Sequence, residues 1–200
     1  MVVLSGSLPP GAPATMYAEM VAAAHQRGST VVVDAGGAPL LHAIESGADL
    51  VKPNLAEAEG ALRAPAVTAD VTIRHEHVDE AAPDVPTRCR EAAAALVARG
   101  ARAALVSGGR RGVALHDGNR SWWWRAPAVD VRNAVGAGDA LVAGFAVLTE
   151  RGAQLPAAVR YGMAVAAESV RHDAPGEVAV DAIPEVLATV PDPDPEKAPQ

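Results

Sequence analysis

The chain has 200 residues, of which 50% are hydrophobic and 3% aromatic, and its formal net charge is −7. This length suits one sizeable α/β domain, and the composition excludes a disordered chain. The acidic balance excludes a general nucleic-acid binder, because such proteins need a basic face. No apolar stretch is long enough to span a membrane and no basic leader follows Met1, so the sequence predicts a cytoplasmic protein.

Short β-branched runs alternate with Ala-rich amphipathic segments in the first part of the chain. This alternation is typical of βαβ units and of a mostly parallel sheet. The apolar runs predict strands at 2–4, 30–33 and 49–51. The helical spacing of apolar residues predicts helices at 13–27, 39–45 and 55–62.

The pattern dissolves between residues 64 and 86, which we predict to be an irregular loop. His75 and His77 flank Glu76 there, and a metal site would need a further ligand nearby in space. A solvated polar loop is the favoured interpretation of this trio.

Regular elements resume after the loop. We predict helices at 87–100, 139–150, 156–170 and 183–190, a strand at 103–106, an antiparallel pair at 113–116 and 120–124, and a disordered tail at 191–200. Strand alternation places Trp123 on the face opposite Trp122 and Trp124. For these tryptophans, packing against a neighbouring helix is favoured over base stacking. Cys89 lies in a helical pattern without a neighbouring His or acid, which favours an inert buried thiol.

The strongest chemical signal is the segment from Asn133 to Phe145, which contains Gly136, Gly138 and Asp139. The glycines remove side chains where a backbone must approach a ligand, and the following helix directs free N–H groups to the same place. An acid beside such an anion site suits the acceptance of a proton from a hydroxyl that attacks a phosphoryl group. An Asp in a first turn is equally common as a helix cap, and the segment alone leaves both interpretations open.

Two further motifs precede this turn. Ser107, Gly109 and Gly112 lie between a strand and a predicted hairpin, where they favour either a flexible turn or a close backbone approach to a nucleotide. Asn54 and Glu57 lie three residues apart at the start of a helix. This spacing suits a capping box, and it equally suits oxygen atoms that order water around Mg²⁺.

Together the three motifs resemble the PfkB branch of the ribokinase-like family. That signature combines an Asn-x-x-Glu motif, a Ser-x-Gly-x-x-Gly loop and a Gly-Ala-Gly-Asp turn in the order seen here. The opening stretch from Leu4 to Gly11, followed by Tyr17, is similar to the 1-phosphofructokinase and tagatose-6-phosphate kinase subgroup, as is Lys52-Pro53-Asn54-Leu55.

The resemblance implies an α/β ribokinase-like fold, a mostly parallel sheet with helices on both faces, over residues 1–190. It implies that Asp139 is the general base and that the N–H groups of Gly136, Ala137 and Gly138 hold the charge of the transferred phosphoryl group. It also implies the remaining ligand contacts: Ser107, Gly109 and Gly112 line the ATP site, Lys52 contacts phosphate, Gly176 lies near the nucleotide, and Asn54 and Glu57 organise Mg²⁺.

The activity implied is ATP-dependent phosphorylation of a sugar phosphate, most simply of fructose 1-phosphate to fructose 1,6-bisphosphate. The partners implied are therefore a sugar phosphate, ATP and Mg²⁺, without nucleic acid or membrane, and a homodimer is one possible assembly. Full members of the family carry an N-terminal sugar-binding segment before the strand on which this chain begins. The resemblance thus implies an N-terminally truncated kinase, which is either a fragment or mis-started reading frame or a protein that has lost its sugar-binding part. Glu177 departs from the small hydroxyl residue often found after Gly176.

Two other functions compete with this interpretation. One is a nucleotide-binding remnant of such a kinase, with weak or no activity. The other is a dinucleotide-dependent oxidoreductase, which requires an acid about twenty residues after the glycine turn. Ala158, Val159 and Arg160 stand near that offset from Gly138, so the sequence argues against the oxidoreductase.

Overall fold

A computed structural model describes residues 1–63, Asp79 and residues 81–195 of the chain. The predicted loop with His75, Glu76 and His77 lies outside the described residues, as do the last five residues of the predicted tail. The chain folds into two compact units, one comprising Met1–Trp123 with Pro195 and the other Trp124–Asp194. The prediction of one kinase domain over 1–190 stays a prediction.

Within the described residues, seven strands form one sheet whose hydrogen-bonded order follows the chain from β1 to β7. The strands are β1 Val2–Ser5, β2 Val31–Asp34, β3 Leu50–Val51, β4 Ala104–Ser107, β5 Gly112–His116, β6 Ser121–Arg125 and β7 Asp194–Pro195. β1 to β4 pair in parallel, and β5 pairs antiparallel with β4. The prediction of a mostly parallel α/β sheet is confirmed.

Four helices of the first unit connect the parallel strands: α1 Met16–His25, α2 Gly37–Glu45, α3 Leu55–Arg63 and α4 Val85–Ala98. Right-handed crossovers between successive neighbouring strands put every connecting helix on the same face of a sheet. The helices accordingly pack as one row, α1 on α2, α2 on α3 and α3 on α4. All three valines of β2 have no exposed surface, so both faces of the sheet are covered along this strand.

The start of α4 corrects the predicted loop at its C-terminal end. The loop was expected to extend to residue 86, but Val85 and Pro86 already belong to the helix. Proline is tolerated in a first turn because the N–H that it lacks has no acceptor there. A proline that suggests a loop in the sequence therefore marks a helix start in the fold.

Three helices of the second unit follow: α5 Ala137–Glu150, α6 Leu155–Ser169 and α7 Ile183–Thr189. α5 and α6 approach closely at two glycines. A Cβ atom on Gly162 would lie 2.5 Å from the carbonyl oxygen of Leu141, and one on Gly144 would lie 2.9 Å from the Cα atom of Gly162. The two backbones can therefore approach this closely only without side chains at these positions.

Two predictions about side chains in the interior are confirmed. Trp123 and Trp124 are both buried, with 3% and 0% of their surface exposed, so packing is their use. Cys89 is fully buried, and this burial raises the pKa of its thiol to about 12, as expected of an inert structural thiol. Among the described residues, none of the helices combines the length and the apolar character needed to cross a membrane.

Candidate active site

The Asn54–Glu57 motif forms a reciprocal capping box at the start of α3. The Asn54 N–H donates to Oε2 of Glu57 at 2.9 Å, and the Glu57 N–H donates to Oδ1 of Asn54 at 2.9 Å. Each side chain thus satisfies a backbone donor that the helix end leaves without a partner. The capping half of the double interpretation is confirmed, and the box holds both side chains at the carboxyl end of β3.

The structure brings the Asn54 motif and the Ser107 motif together. Ser107 ends β4, and its N–H donates to the carbonyl oxygen of Pro53 at 3.2 Å. Asn54, which lies beyond the end of β3, also forms an isolated parallel bridge with Ser107, the last residue of β4. Ligands of open α/β sheets bind outside the carboxyl ends of such strands. Two motifs that lie about fifty residues apart in the sequence therefore share one edge of the first unit.

The glycine loop after Ser107 is a single helical turn that returns to its own start. The Gly108 N–H donates to the carbonyl oxygen of Gly112 at 2.8 Å, and the residues between form a short 3₁₀ turn. Gly109 and Gly112 have φ angles of 54° and 133°, which side chains other than glycine rarely tolerate. Gly108 fills a packing role, because a Cβ atom there would lie 2.6 Å from Val85.

Lys52 is buried beside the first motif, with its Nζ atom 3.0 Å from Oδ1 of Asp34. Lys52 follows β3 and Asp34 ends β2, so the pair lies at the carboxyl ends of neighbouring parallel strands. The Tyr17 hydroxyl group donates to the carbonyl oxygens of Ser5 and Gly6, where β1 ends. Burial, together with the nearby Asp34 carboxylate, raises the pKa of Tyr17.

Asp34 is a polar partner of this edge that the sequence motifs did not single out. The signal that could have found it is its position, directly after the buried run Val31–Val33. An acid at the carboxyl end of a buried parallel strand points into the region where ligands of α/β proteins bind. The predicted phosphate contact of Lys52 stays a prediction.

The oxygen atoms of Asn54 and Glu57 fit Mg²⁺ only indirectly, through water molecules that they would order around the ion. Among the described residues, no group of three or more His, Cys, Asp and Glu side chains is arranged to hold a metal ion. Mg²⁺ usually keeps several waters and takes one or two carboxylates from the protein. Oε1 of Glu57 is the oxygen of this motif that the capping box leaves for such waters.

The Gly-Ala-Gly-Asp turn opens α5 in the second unit. Gly136 is the N-cap residue and has a φ angle of 84°, so the turn requires glycine there. Asp139 is exposed in the first helical turn. The Ala137 N–H donates to the carbonyl oxygen of Ala134 at 3.3 Å, whereas the Gly138 N–H has no acceptor among the described residues. Helix N-termini of this kind attract anions.

Segment 170–179 braces the backbone that leads into this turn. The N–H groups of Arg132 and Asn133 donate to the carbonyl oxygen of Val170 at 2.8 and 3.2 Å. Nδ2 of Asn133 donates to the carbonyl oxygen of Asp173 at 2.9 Å, while its Oδ1 accepts the Val135 N–H. A Cβ atom on Gly136 would lie 3.3 Å from the Gly176 nitrogen, so the structure places the predicted Gly176 against the predicted turn.

Glu168 anchors the same segment and was missed by the sequence motifs. Its carboxylate is 2% exposed and accepts hydrogen bonds from Nε2 of His172 at 2.7 Å and from the Ala179 N–H at 3.1 Å. Burial alone raises the pKa of a carboxyl group, but here the hydrogen bonds from His172 and Ala179 and the charge of Arg171 outweigh it, so the pKa of Glu168 is lowered. The signal available in the sequence was the one acid of an Ala-rich helix, four residues before a His.

A comparison with known protein families shows which family contains the motifs of the first unit and the glycine turn of the second unit. Residues 1–181 match the model of the pfkB family carbohydrate kinases. The chain is a member of that family. The resemblance inferred from the three motifs is thereby confirmed, and the motifs of this pfkB family chain all lie within the matched region.

Relatives of this pfkB family chain include enzymes named 1-phosphofructokinase. The one from Rhodobacter capsulatus is 34% identical over 144 residues, 72% of this chain and 40% of the relative. The one from Bacillus subtilis is 31% identical over 191 residues, 94% of this chain and 57% of the relative. The chain therefore spans about half the length of the curated relatives that it matches.

A solved structure supports the ribokinase-like fold class. The tetrameric inhibited form of phosphofructokinase-2 from Escherichia coli is 28% identical and superposes with a TM-score of 0.74. The match covers 93% of this chain and 55% of the phosphofructokinase-2 chain. The predicted fold class of this pfkB family chain is confirmed.

Proposed function

We propose that the chain carries the nucleotide-binding and catalytic machinery of an ATP-dependent sugar-phosphate kinase, which phosphorylates fructose 1-phosphate to fructose 1,6-bisphosphate. The observation that carries the proposal is the turn at residues 136–139. Gly136 bends the backbone, the N–H of Gly138 has no acceptor among the described residues, and Asp139 stands exposed one residue later. The names of the relatives support fructose 1-phosphate as the substrate.

Asp139 takes the proton of the attacking sugar hydroxyl group in this proposal. A base must lie beside the transferred phosphoryl group, and phosphoryl transfer depends mostly on positioning and on electrostatic stabilisation. The N–H groups of Gly136, Ala137 and Gly138 stabilise the developing negative charge, and those of Gly136 and Gly138 have no acceptor among the described residues. A carboxylate in the first turn of α5 would repel phosphate, so anion binding alone does not account for it. Its use as a base for the sugar hydroxyl group does.

The first unit supplies contacts to ATP and to Mg²⁺. Ser107, Gly109 and Gly112 line the nucleotide, since their loop leaves backbone accessible at the exposed Gly109. Lys52 contacts phosphate. Mg²⁺, when bound, neutralises phosphate charge, and Asn54 and Glu57 order its waters. The tetrameric description of the Escherichia coli relative belongs to that protein, and a homodimer of this chain stays a prediction.

The test compares Asp139→Asn with the wild-type chain in a coupled assay with ATP and fructose 1-phosphate. The amide keeps the shape of the side chain but cannot accept the proton, so we expect the rate to fall about 10²–10⁴-fold. ATP affinity, measured by calorimetric titration, should stay nearly unchanged. Asp181→Asn, which alters an exposed acid elsewhere in the same unit, is the matched control and should keep wild-type turnover.

Near-normal turnover in Asp139→Asn would return Asp139 to the role of a helix cap. A wild-type chain that binds ATP without turnover would instead support the nucleotide-binding remnant. A chain that neither binds ATP nor turns over fructose 1-phosphate contradicts both functions.

A further inference from the structure

The carboxylate of Glu168 closes the segment that follows α6 into a loop. One oxygen, Oε1, accepts hydrogen bonds from His172 at the start of the loop and from the Ala179 N–H at its end. The other oxygen accepts a hydrogen bond from Arg171 at 3.2 Å. A single buried carboxylate therefore holds both ends of segment 172–179, which we call the clasp loop.

The middle of the clasp loop contacts the proposed catalytic turn. The carbonyl oxygen of Asp173 accepts the side-chain amide of Asn133, and the Gly176 nitrogen lies 3.3 Å from the position of a Cβ atom on Gly136. Gly136 is the N-cap residue of α5, three residues before Asp139. Any displacement of the clasp loop is therefore passed to the backbone that sets the position of Asp139 and of the Gly138 N–H.

A buried carboxylate at position 168 lowers stability unless it has a structural or functional role. Burying a charged group is unfavourable, and an apolar side chain of similar volume would fill the space at the end of α6 at lower cost. Other charged groups near the clasp are arranged around its donors: Glu177 lies 3.8 Å from Nδ1 of His172, and Arg132 pairs with Asp173 at 3.5 Å. A group that accepts three hydrogen bonds fixes geometry, which an apolar side chain cannot do.

We propose that Glu168 is a positioning residue, which holds the clasp loop against residues 132–136 and thereby fixes the turn that carries Gly138 and Asp139. The inference rests on the proposed function for its catalytic consequence, but its structural part concerns this unit alone. It assigns a role to an acid that lies outside the three motifs of the family signature.

Hydrogen exchange measured by mass spectrometry tests the structural part. In Glu168→Ala, both ends of the clasp loop lose their acceptor, so the hydrogen-bonded amides of Asn133, Val135 and Ala137 should exchange about ten- to a hundredfold faster than in the wild type. Exchange in β4 of the first unit should not change. Glu168→Gln should restore most of the protection, because the amide oxygen can accept the hydrogen bonds of both His172 and Ala179. Unchanged exchange at 133–138 in Glu168→Ala overturns the proposal.

ATP binding separates positioning from a merely structural role. Arg160→Ala is the matched control, because Arg160 also anchors a loop to α6, by donating two hydrogen bonds to the carbonyl oxygen of Val190. It lies eight residues before Glu168, about 12 Å along the helix. At a temperature where all variants are folded, Glu168→Ala should weaken ATP binding about tenfold, while Arg160→Ala leaves it nearly unchanged.

Equal losses of ATP affinity in Glu168→Ala and Arg160→Ala would overturn the positioning role. If Glu168→Ala does not fold, His172→Ala carries the same comparison, since it removes the donor at the start of the clasp loop and leaves the carboxylate in place. A wild-type chain that binds no ATP counts against the proposed function, and hydrogen exchange alone then decides whether Glu168 orders the turn.

Discussion

The two units hold their candidate site residues in place by different means. In the first unit, Asn54 and Glu57 bond to each other across three residues, and the glycine loop closes on itself between Gly108 and Gly112. In the second unit, the turn before Asp139 is braced by partners that lie up to forty residues later, such as Asp173. The first arrangement is local in sequence and the second is not.

This difference indicates where each site is vulnerable. In the first unit, the local hydrogen bonds of the capping box and of the glycine loop form whenever the helix or turn forms. The buried ion pair of Lys52 and Asp34 at the same sheet edge adds to them. The turn of the second unit depends on α6, on the clasp loop and on the close crossing of α5 and α6 at Gly144 and Gly162. In the second unit, a substitution that alters tertiary packing should therefore disturb the turn before Asp139 more than a substitution that alters only the local sequence.

The largest effect on stability is expected from the buried ion pair of Lys52 and Asp34 in the first unit. Asp34→Ala leaves Lys52 charged and buried without this partner, and breaking such a pair destabilises a protein by roughly 3–5 kcal/mol. Chemical denaturation gives the loss in the free energy of unfolding. The double variant Asp34→Ala with Lys52→Met removes both charges and should recover much of it. A double variant no more stable than Asp34→Ala would show that the pair is not the cause.

A smaller loss is expected where α5 crosses α6. Gly162→Ala places a methyl group 2.5 Å from the carbonyl oxygen of Leu141, so the helices must separate, at a cost of about 1–3 kcal/mol. The exposed Ala157→Ser on the same helix is the control and should be nearly neutral. Thermal unfolding of the two variants measures the difference. A Gly162→Ala chain as stable as the control would mean that this crossing does not limit the second unit.

The smallest change in stability is expected from Glu57→Gln. Glutamine also closes a capping box, so the free energy of unfolding should change by only a few tenths of a kcal/mol, whereas Asn54→Ala should lose about 0.5–2 kcal/mol. In the kinase assay, Glu57→Gln should nevertheless raise the Mg²⁺ concentration needed for half-maximal activity, because a carboxylate orders the waters of Mg²⁺ better than an amide does. An unchanged Mg²⁺ dependence would leave Glu57 with the capping role alone.

The regular elements of both units could be predicted from the sequence because their signals are local. The valine run that became β2 and the apolar spacing of α6 follow from side-chain periodicity alone. The capping box was also predictable, since its two residues lie at a fixed spacing of three. Pro86 misled the prediction of the loop end, because proline is compatible with both a loop and a first helical turn.

The sequence by itself determined the alternation of strands and helices and the three motifs of a pfkB family chain, because periodicity, glycine and short fixed spacings act within a few residues. Only the tertiary structure decided that Asn54 bridges to Ser107, that Lys52 pairs with Asp34, and that the carboxylate of Glu168 is buried. The sequence pattern of a Glu in an Ala-rich helix is the same whether that side of the helix faces solvent or packs against a loop. Its burial depends on residues such as Ala179, which only the folded chain brings to it.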